Sequence, residues 1–324
     1  MSGGRRHRGP ARLRVLLLSP NDPAGEAVTS TLRLQLQVFG REEAGARAGE
    51  VEPVHQLRVA TRRLRAGLRL FEPVLAAATV RRACDELAWL GDSIGAVRDL
   101  DVLLLAIASR GRRLDPVERD ALAPLVTLLR ERRAIARDGL VRALEGDRCR
   151  RLLTRLGSVG GVRRELVLGR VAGDLATPHL RAVLRAGRRL GGDASPAAFH
   201  RLRVRVKRLR YALETLRGLG GRRLVRMLRL LERFQDTLGA QQDAATQIAR
   251  LRELADAASL PPATLLAMGA LIRVLGRRAR RRRRRFPELW RKLDRDALRQ
   301  GALEELSRHK RAGRVLRLVR ATGT

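Results

Sequence analysis

Aromatic side chains are nearly missing from this chain: five Phe, two Trp and one Tyr make up 2% of its 324 residues. That scarcity counts against a β-rich core, because strands favour aromatic and β-branched residues. It also counts against a protein that stacks single-stranded bases on rings. Cysteine is rarer still. Cys84 and Cys149 lack any metal-ligand spacing, and two isolated cysteines fit a reduced cytoplasmic protein better than a disulfide scaffold, although a bond between them stays open. Long apolar runs are absent too, none approaching the roughly 18–20 residues of a membrane span. The start, MSGGRRHRGPARLRVLLLSP, carries only a short apolar run from Leu13 to Leu18 with no clear small-residue cleavage site, and it reads as a basic, disordered arm over residues 1–21. Chemistry is equally sparse. There is no Gly-rich phosphate loop, no paired-carboxylate motif and no nucleophile with a base, so an enzyme is not expected, nor a cofactor.

Acidic residues are also few, 33 against 69 basic ones, and the formal charge is +36 with a pI near 11.9. Such a field attracts polyanions and repels a second copy of itself. Lys207, Lys292 and Lys310 are the only lysines, and the planar Arg forks that make up the rest suit bidentate contact with phosphate. Leu, Ala, Val and Arg dominate, with 44% of the chain hydrophobic. That balance favours an all-α fold with a substantial core, and the length suggests about two domains.

An internal repeat makes the division. VHQLRVATRRLRAGLRLF runs from Val54 to Phe71 and FHRLRVRVKRLRYALETL from Phe199 to Leu216. His55, Leu57, Arg58, Arg62, Arg63, Leu64, Arg65 and Leu68 recur as His200, Leu202, Arg203, Lys207, Arg208, Leu209, Arg210 and Leu213, each 145 positions on. On a helix, His55, Arg58, Arg62, Arg65 and Arg69 share one face by steps of three and four. Val54, Leu57, Leu64, Leu68 and Phe71 make an apolar stripe on another. A solvated charged face normally mixes signs, but no Asp or Glu occurs between His55 and Phe71. The pattern therefore predicts an anion site, with basic residues seven apart spaced about 10 Å along the axis. That suits an extended chain of phosphates better than one small anion. The histidines have no second ligand at metal spacing, so no metal is expected. Asp92, Gly95 and Asp99 recur as Asp236, Gly239 and Asp243, here 144 positions on. These four carboxylates have the chemistry to coordinate a metal or to act as acid and base, but are expected rather to pair with the arginines and hold their forks in place.

Punctuation outlines the helices. Asp22-Pro23 reads as a cap opening a helix to about Phe39, and Gly40 to Pro53 as a loop. The first repeat helix reaches about Leu75, and a long helix spans about Thr79 to Ser109. Asp115-Pro116 opens another to about Leu144. The second half begins with a helix within Val162 to Leu190, with a possible restart at Thr177-Pro178. After a Gly191-Gly192-Asp193 turn, Ser195-Pro196 caps the second repeat helix. Leu224 to about Ala257 forms the second long helix, Pro261-Pro262 opens the next, and Phe286 to Lys310 is a weaker helical tail. The run from Arg277 to Arg285, broken only by Ala279, covers every face of a helix and carries little geometric information.

The doubled Arg-rich motif, with its partner segments around Gly95–Asp99 and Gly239–Asp243, resembles the CHAD family (conserved histidine α-helical domain). The resemblance covers roughly residues 22–310, with halves of about 22–155 and 162–310 and a tail at 311–324. It implies two four-helix bundles related by an internal pseudo-two-fold, with a basic central groove. It further implies binding of inorganic polyphosphate and association with polyphosphate granules in the cytoplasm. The matching positions are His55, Arg58, Arg62, Arg63, Arg65, His200, Arg203, Lys207, Arg208 and Arg210. Gln242 stands where Arg98 does in the first half, so the halves need not bind equally. A triphosphate-hydrolysing CYTH domain, often fused in this family, has no room in the short flanks, so catalysis is not implied. The rival readings are non-specific nucleic-acid binding from the same charge, and a scaffold that coats a granule or docks an acidic protein.

Overall fold

Each repeat helix packs beside the long helix that follows it, and the two repeat helices lie against each other. The computed structural model describes residues 18–160, 166–190, 194–295 and 298–308, with the side chains at 196, 278, 282 and 283 left aside. In chain order the helices are α1 (Ala24–Arg47), α2 (Val51–Leu70), α3 (Ala77–Gly111), α4 (Pro116–Asp120), α5 (Ala123–Glu145), α6 (Asp147–Gly157), α7 (Leu168–Arg188), α8 (Pro196–Thr215), α9 (Arg222–Ala257), α10 (Pro262–Arg283) and α11 (Phe286–Leu293). Residues 298–308 form a further helix, α12. Among the described residues the only β-pairing is an isolated bridge, so the all-α expectation holds. The arm up to residue 17, the 191–193 turn, Lys310 and the 311–324 tail lie outside the described residues.

The apolar stripe of α2 goes inward as its spacing requires: Val54, Leu57, Ala60, Leu64 and Leu68 are fully buried. They pack on α1, α3 and the neighbouring α8. Gly67 lets α1 approach closely, since a Cβ there would sit 3.2 Å from the Thr31 methyl. One continuous apolar core runs from α1 and α2 through the near parts of α3 and α9 to α7, α8, α11 and α12, so the halves are welded rather than merely apposed. A second core binds the far ends of α3 and α9 to α5 and α10. At about 1.5 Å per residue, the 35-residue α3 and the 36-residue α9 are long enough to serve both.

Several local expectations need correction. Helix α1 continues past Gly40 to Arg47, where Ala46 is buried and Glu43 pairs with Arg47 at 2.6 Å. The break comes at Gly49, whose φ of +82° only glycine adopts easily. Asp22 does not cap α1. Its carboxylate accepts from the Ser19 amide, while Ala24 N–H donates to Leu166 O (2.7 Å) and Leu168 N–H to Asp22 O (2.8 Å). The amide a cap would have satisfied is thus taken by the start of the second half. The region after Asp115 holds a short α4 and then α5, and α6 restarts immediately after Gly146. Helix α7 runs unbroken through Pro178, with Thr177 Oγ1 donating to Gly173 O at 2.7 Å. Asp115 and Ser195 do cap their helices, accepting from the amides of Val117 (2.9 Å) and Ala198 (3.3 Å).

The scarce aromatics serve the interior. Phe199, Phe234, Phe286 and Trp290 form one cluster, with Phe199 and Phe286 edge to face at 5.1 Å, and it docks α11 onto α8 and α9. No described helix is long and apolar enough to cross a membrane.

Candidate functional site

Because the buried stripes of α2 and α8 face the core, their arginine faces are turned outward along the seam where the two helices meet. The same device anchors the first arginine of each repeat. Arg58 Nη1 donates to the Gly91 carbonyl (3.2 Å), and Nη2 lies 3.7 Å from Asp99. Gly95 makes room for this fork: a Cβ there would come within 2.5 Å of Arg58 Nη1. In the second half Arg203 Nη2 donates to Asp243 at 3.2 Å, beside Gly239. Asp99 and Asp243 thus sit against the arginines. Asp92 and Asp236 do not: both are exposed and neither joins an ion pair among the described residues. Seven residues, or about 10 Å, separate each from its partnered neighbour, which puts them beyond a guanidinium held at the other end. Asp236 instead borders a cleft of about 630 Å³ together with Arg203, Asp243, Val102 and Ser109.

Around these anchors the charge is concentrated and poorly neutralised. Lys207 is half-buried, and no described group makes a hydrogen bond or ion pair with its amine. Burial and the positive charges of Arg203, Arg62 and Arg58 push its pKa down to about 7, against the opposing pull of Asp243. Burial likewise holds Arg203 below its ordinary value, with Arg62 and Arg58 adding to the effect and Asp243 resisting it. His55 is half-buried, and burial followed by the charge of Arg98 lowers it below 6.5. His200 is exposed.

Arg63 of α2 reaches across the seam to the Glu214 that Arg210 engages within α8. Both reach Glu214 at 3.4 Å, and their guanidiniums lie 5.9 and 5.4 Å from the Tyr211 ring. Glu214 therefore ties α2 to α8 and balances charge that α2 cannot balance itself. At the other end, the charges of Arg69, Arg205 and Arg65 add to burial in lowering Arg208. His179 of α7 is lowered by burial and by Arg208.

The donors are under-satisfied. Among the described residues, the buried Nε atoms of Arg62, Arg65, Arg203 and Arg210, and Nη1 of Arg98, have no acceptor in the protein. Each buried donor left unmade costs about 1–3 kcal/mol, so crowding these guanidiniums together carries a free-energy cost.

Arg98 and Glu214 are members of the site that sequence spacing did not single out as such. Arg98 was visible only as a position where the repeats differ, and Glu214 as a residue four beyond Arg210. The Arg277–Arg285 run lies at the end of α10, and Arg277, Arg280, Arg281, Arg284 and Arg285 are exposed. Cys84 and Cys149 are buried and free.

A CHAD domain family model matches residues 30–252. The chain belongs to the CHAD family. Its structure is similar to the crystal structure of the CHAD domain from the plant Ricinus communis, with a TM-score of 0.72 and 28% identity over 88% of this chain and 96% of that one. The protein PptA from Streptomyces chartreusis shares the fold, with a TM-score of 0.65 and 22% identity, covering 83% of this chain and all of that one. The uncharacterized protein Rv2226 of Mycobacterium tuberculosis is 30% identical over 293 residues. The alignment covers 85% of this chain and 54% of that relative, so the CHAD chain spans about half the length of the curated relative it matches.

Proposed function

We propose that this CHAD protein binds inorganic polyphosphate along the α2–α8 seam. The observation that carries the reading is the row of Arg58, Arg62, Arg65, Arg203 and Lys207 along α2 and α8, whose charge nearby acids balance only in part and which Asp99 and Asp243 partly preorganise. A chain of phosphates supplies repeated anionic acceptors along a row, and charge-assisted hydrogen bonds to such oxygens are the strong kind. Membership of a family linked to polyphosphate supports the same reading. On this view the protein associates with polyphosphate deposits as a binder and not as an enzyme.

Non-specific nucleic-acid binding draws on the same charge of +36. The placement of the rings argues against single strands: all five Phe and Tyr211 are buried, and Trp290 belongs to the core cluster. Trp89 is covered by Arg148 at 4.2 Å. No platform for base stacking is left on the seam.

The test is a competition titration. Labelled long-chain polyphosphate is bound at near-physiological salt and challenged with duplex DNA, single-stranded RNA and short phosphates. Selective displacement by long polyphosphate supports the reading, and equal displacement by nucleic acid refutes it. Replacing Arg58 and Arg203 together by Ala should weaken binding far more than replacing Arg280 and Arg285, whereas equal losses would move the site away from the seam. Affinity should also fall steeply with salt, as counterion release requires.

A further inference from the structure

Lys207 is an anomaly in its own surroundings. It is one of three lysines among 69 basic residues, and it stands where the first repeat has Arg62. The acid nearest in role, Asp243, is already engaged by Arg203 at 3.2 Å. The charges of Arg203 on its own helix and of Arg62 and Arg58 on α2 bear on the amine, and Asp243 of α9 opposes them. An amine so placed is a different chemical object from Lys292, which is exposed and held by Glu288 at 2.6 Å. A guanidinium has no comparable nucleophilic form, so the repeat position that holds Lys offers chemistry that its Arg counterpart lacks.

We propose that Lys207 is a covalent acylation site, and that its donor class is the small acyl phosphates. The inference rests on reading the seam as a phosphate site, since Arg58, Arg62 and Arg203 are the groups that would hold the donor's phosphoryl oxygens. With the phosphate held there, the neutral amine attacks the acyl carbon. A C–N bond forms and the bond between the acyl carbon and the phosphate oxygen breaks. The phosphate leaves with the electron pair, and the proton shed by nitrogen passes to it, giving the amide and hydrogen phosphate. No oxidant, reductant or further reactant is needed. The guanidiniums also stabilise the charge that develops on the departing phosphate.

The depressed amine supplies the reactive form at neutral pH. With a pKa of about 7, roughly half of Lys207 is uncharged at pH 7, against about one in a few thousand for an ordinary lysine. Acylation would remove one cation from the seam and place an amide among the arginines. The same chemistry would therefore weaken polyphosphate binding in proportion to acyl phosphate supply.

The experiment treats the full chain with acetyl phosphate near pH 7.5 and follows occupancy of Lys207 and Lys292 by peptide mass spectrometry. A parallel arm uses N-acetoxysuccinimide, an uncharged acetyl donor. Acetyl phosphate should label Lys207 at least about tenfold faster than Lys292, and the preference should shrink with the uncharged donor. Arg62→Gln should slow both reactions by raising the Lys207 pKa, and should slow the acetyl phosphate reaction further by removing a phosphate contact. Equal labelling of the two lysines by acetyl phosphate overturns the proposal, and so does the same preference with both reagents. Excess long-chain polyphosphate should protect Lys207. Selective labelling that polyphosphate does not block supports the acylation site while refuting the seam as the polymer's groove.

Discussion

On the proposed function, the lowered Lys207 pKa makes polyphosphate binding proton-linked, and the size of the effect follows from the structure. In the free protein, burial and the charges of Arg203, Arg62 and Arg58 hold the amine at about 7. A polyanion laid along the seam favours the charged form, so the bound-state pKa rises back toward the ordinary lysine range. Above pH 7 binding must then take up a proton, and affinity falls by up to tenfold per pH unit until the bound-state pKa is reached. Below pH 7 the amine is already charged and its contribution is flat. Between pH 6 and 8.5 the loss is about 30-fold, or about 2 kcal/mol. His55, kept below 6.5 in the free protein by burial and Arg98, is lifted by the same polyanion, so its proton uptake is centred at lower pH than that of Lys207 and is retained in Lys207→Arg. The polymer's end groups, with a second ionisation near 6, gain charge with rising pH and act in the opposite sense. Lys207→Arg removes the titrating group while keeping the charge. Calorimetry in two buffers of different ionisation enthalpy should show close to one proton taken up near pH 8 by the wild type and almost none by Lys207→Arg. Equal proton uptake and equal pH slopes in the two proteins would refute the reasoning.

Further substitutions separate the site from its support. Gly95→Ala places a methyl 2.5 Å from Arg58 Nη1 and displaces that fork, so polyphosphate affinity should drop about fivefold to tenfold. Helix stability should hold or improve. Gly239→Ala is the matched control, since the nearest Arg203 atoms lie 4.0 Å away, and its affinity should be unchanged in the same titration. Asp101 is buried on α3, where Arg133 Nε donates to it at 2.5 Å and Arg133 Nη2 donates to Gly49 O at 2.7 Å. Asp101→Ala should cost about 3 kcal/mol in denaturant unfolding by leaving the guanidinium uncompensated, and a cost under about 1 kcal/mol would show the pair to be dispensable. Gly187→Ala would set a Cβ 1.9 Å from the rigid Trp290 ring. It should destabilise by about 2 kcal/mol and shift tryptophan emission, while unchanged unfolding would contradict the packing of α11.

What sequence reasoning recovered follows from which interactions are local. The caps at Asp115 and Ser195 were legible because a cap bonds to an amide two or three residues away. The same logic failed at Asp22, where Leu166 and Leu168 supply the partners from over 140 residues away. Helix α1 ran through its Gly-containing segment because Ala46 is buried and the Glu43–Arg47 pair stabilises the last turn, and neither fact shows in a count of glycines. In the site, the repeated Asp and Gly spacing located the Arg58–Asp99 and Arg203–Asp243 pairs. Spacing could not distinguish Asp99 from Asp92, since both share a helix face and only the position along the axis decides reach. Glu214 and Arg98 escaped because their roles depend on the partner helix. Arg63 meets Glu214 only where α2 crosses α8, and Arg98 meets His55 only where α3 lies against α2.

The two faces of α2 also explain how the fold tolerates so much unneutralised charge. Like-charge neighbours on a helix cost a few tenths of a kcal/mol each, so the repulsions along His55, Arg58, Arg62, Arg65 and Arg69 amount to a few kcal/mol at most. The opposite face buries Val54, Leu57, Leu64 and Leu68 completely, and each such side chain contributes about 1.5–3 kcal/mol. Burial therefore outweighs repulsion several-fold, and the helix stays in place without a ligand. The partly buried Arg62, Arg65 and Lys207 are then held in place rather than relaxed away. Stability resides in the leucines and, on the proposed function, binding in the arginines of the same short helix. Substitutions on the basic face should accordingly act on affinity far more than on folding, and substitutions such as Leu57→Ala the reverse.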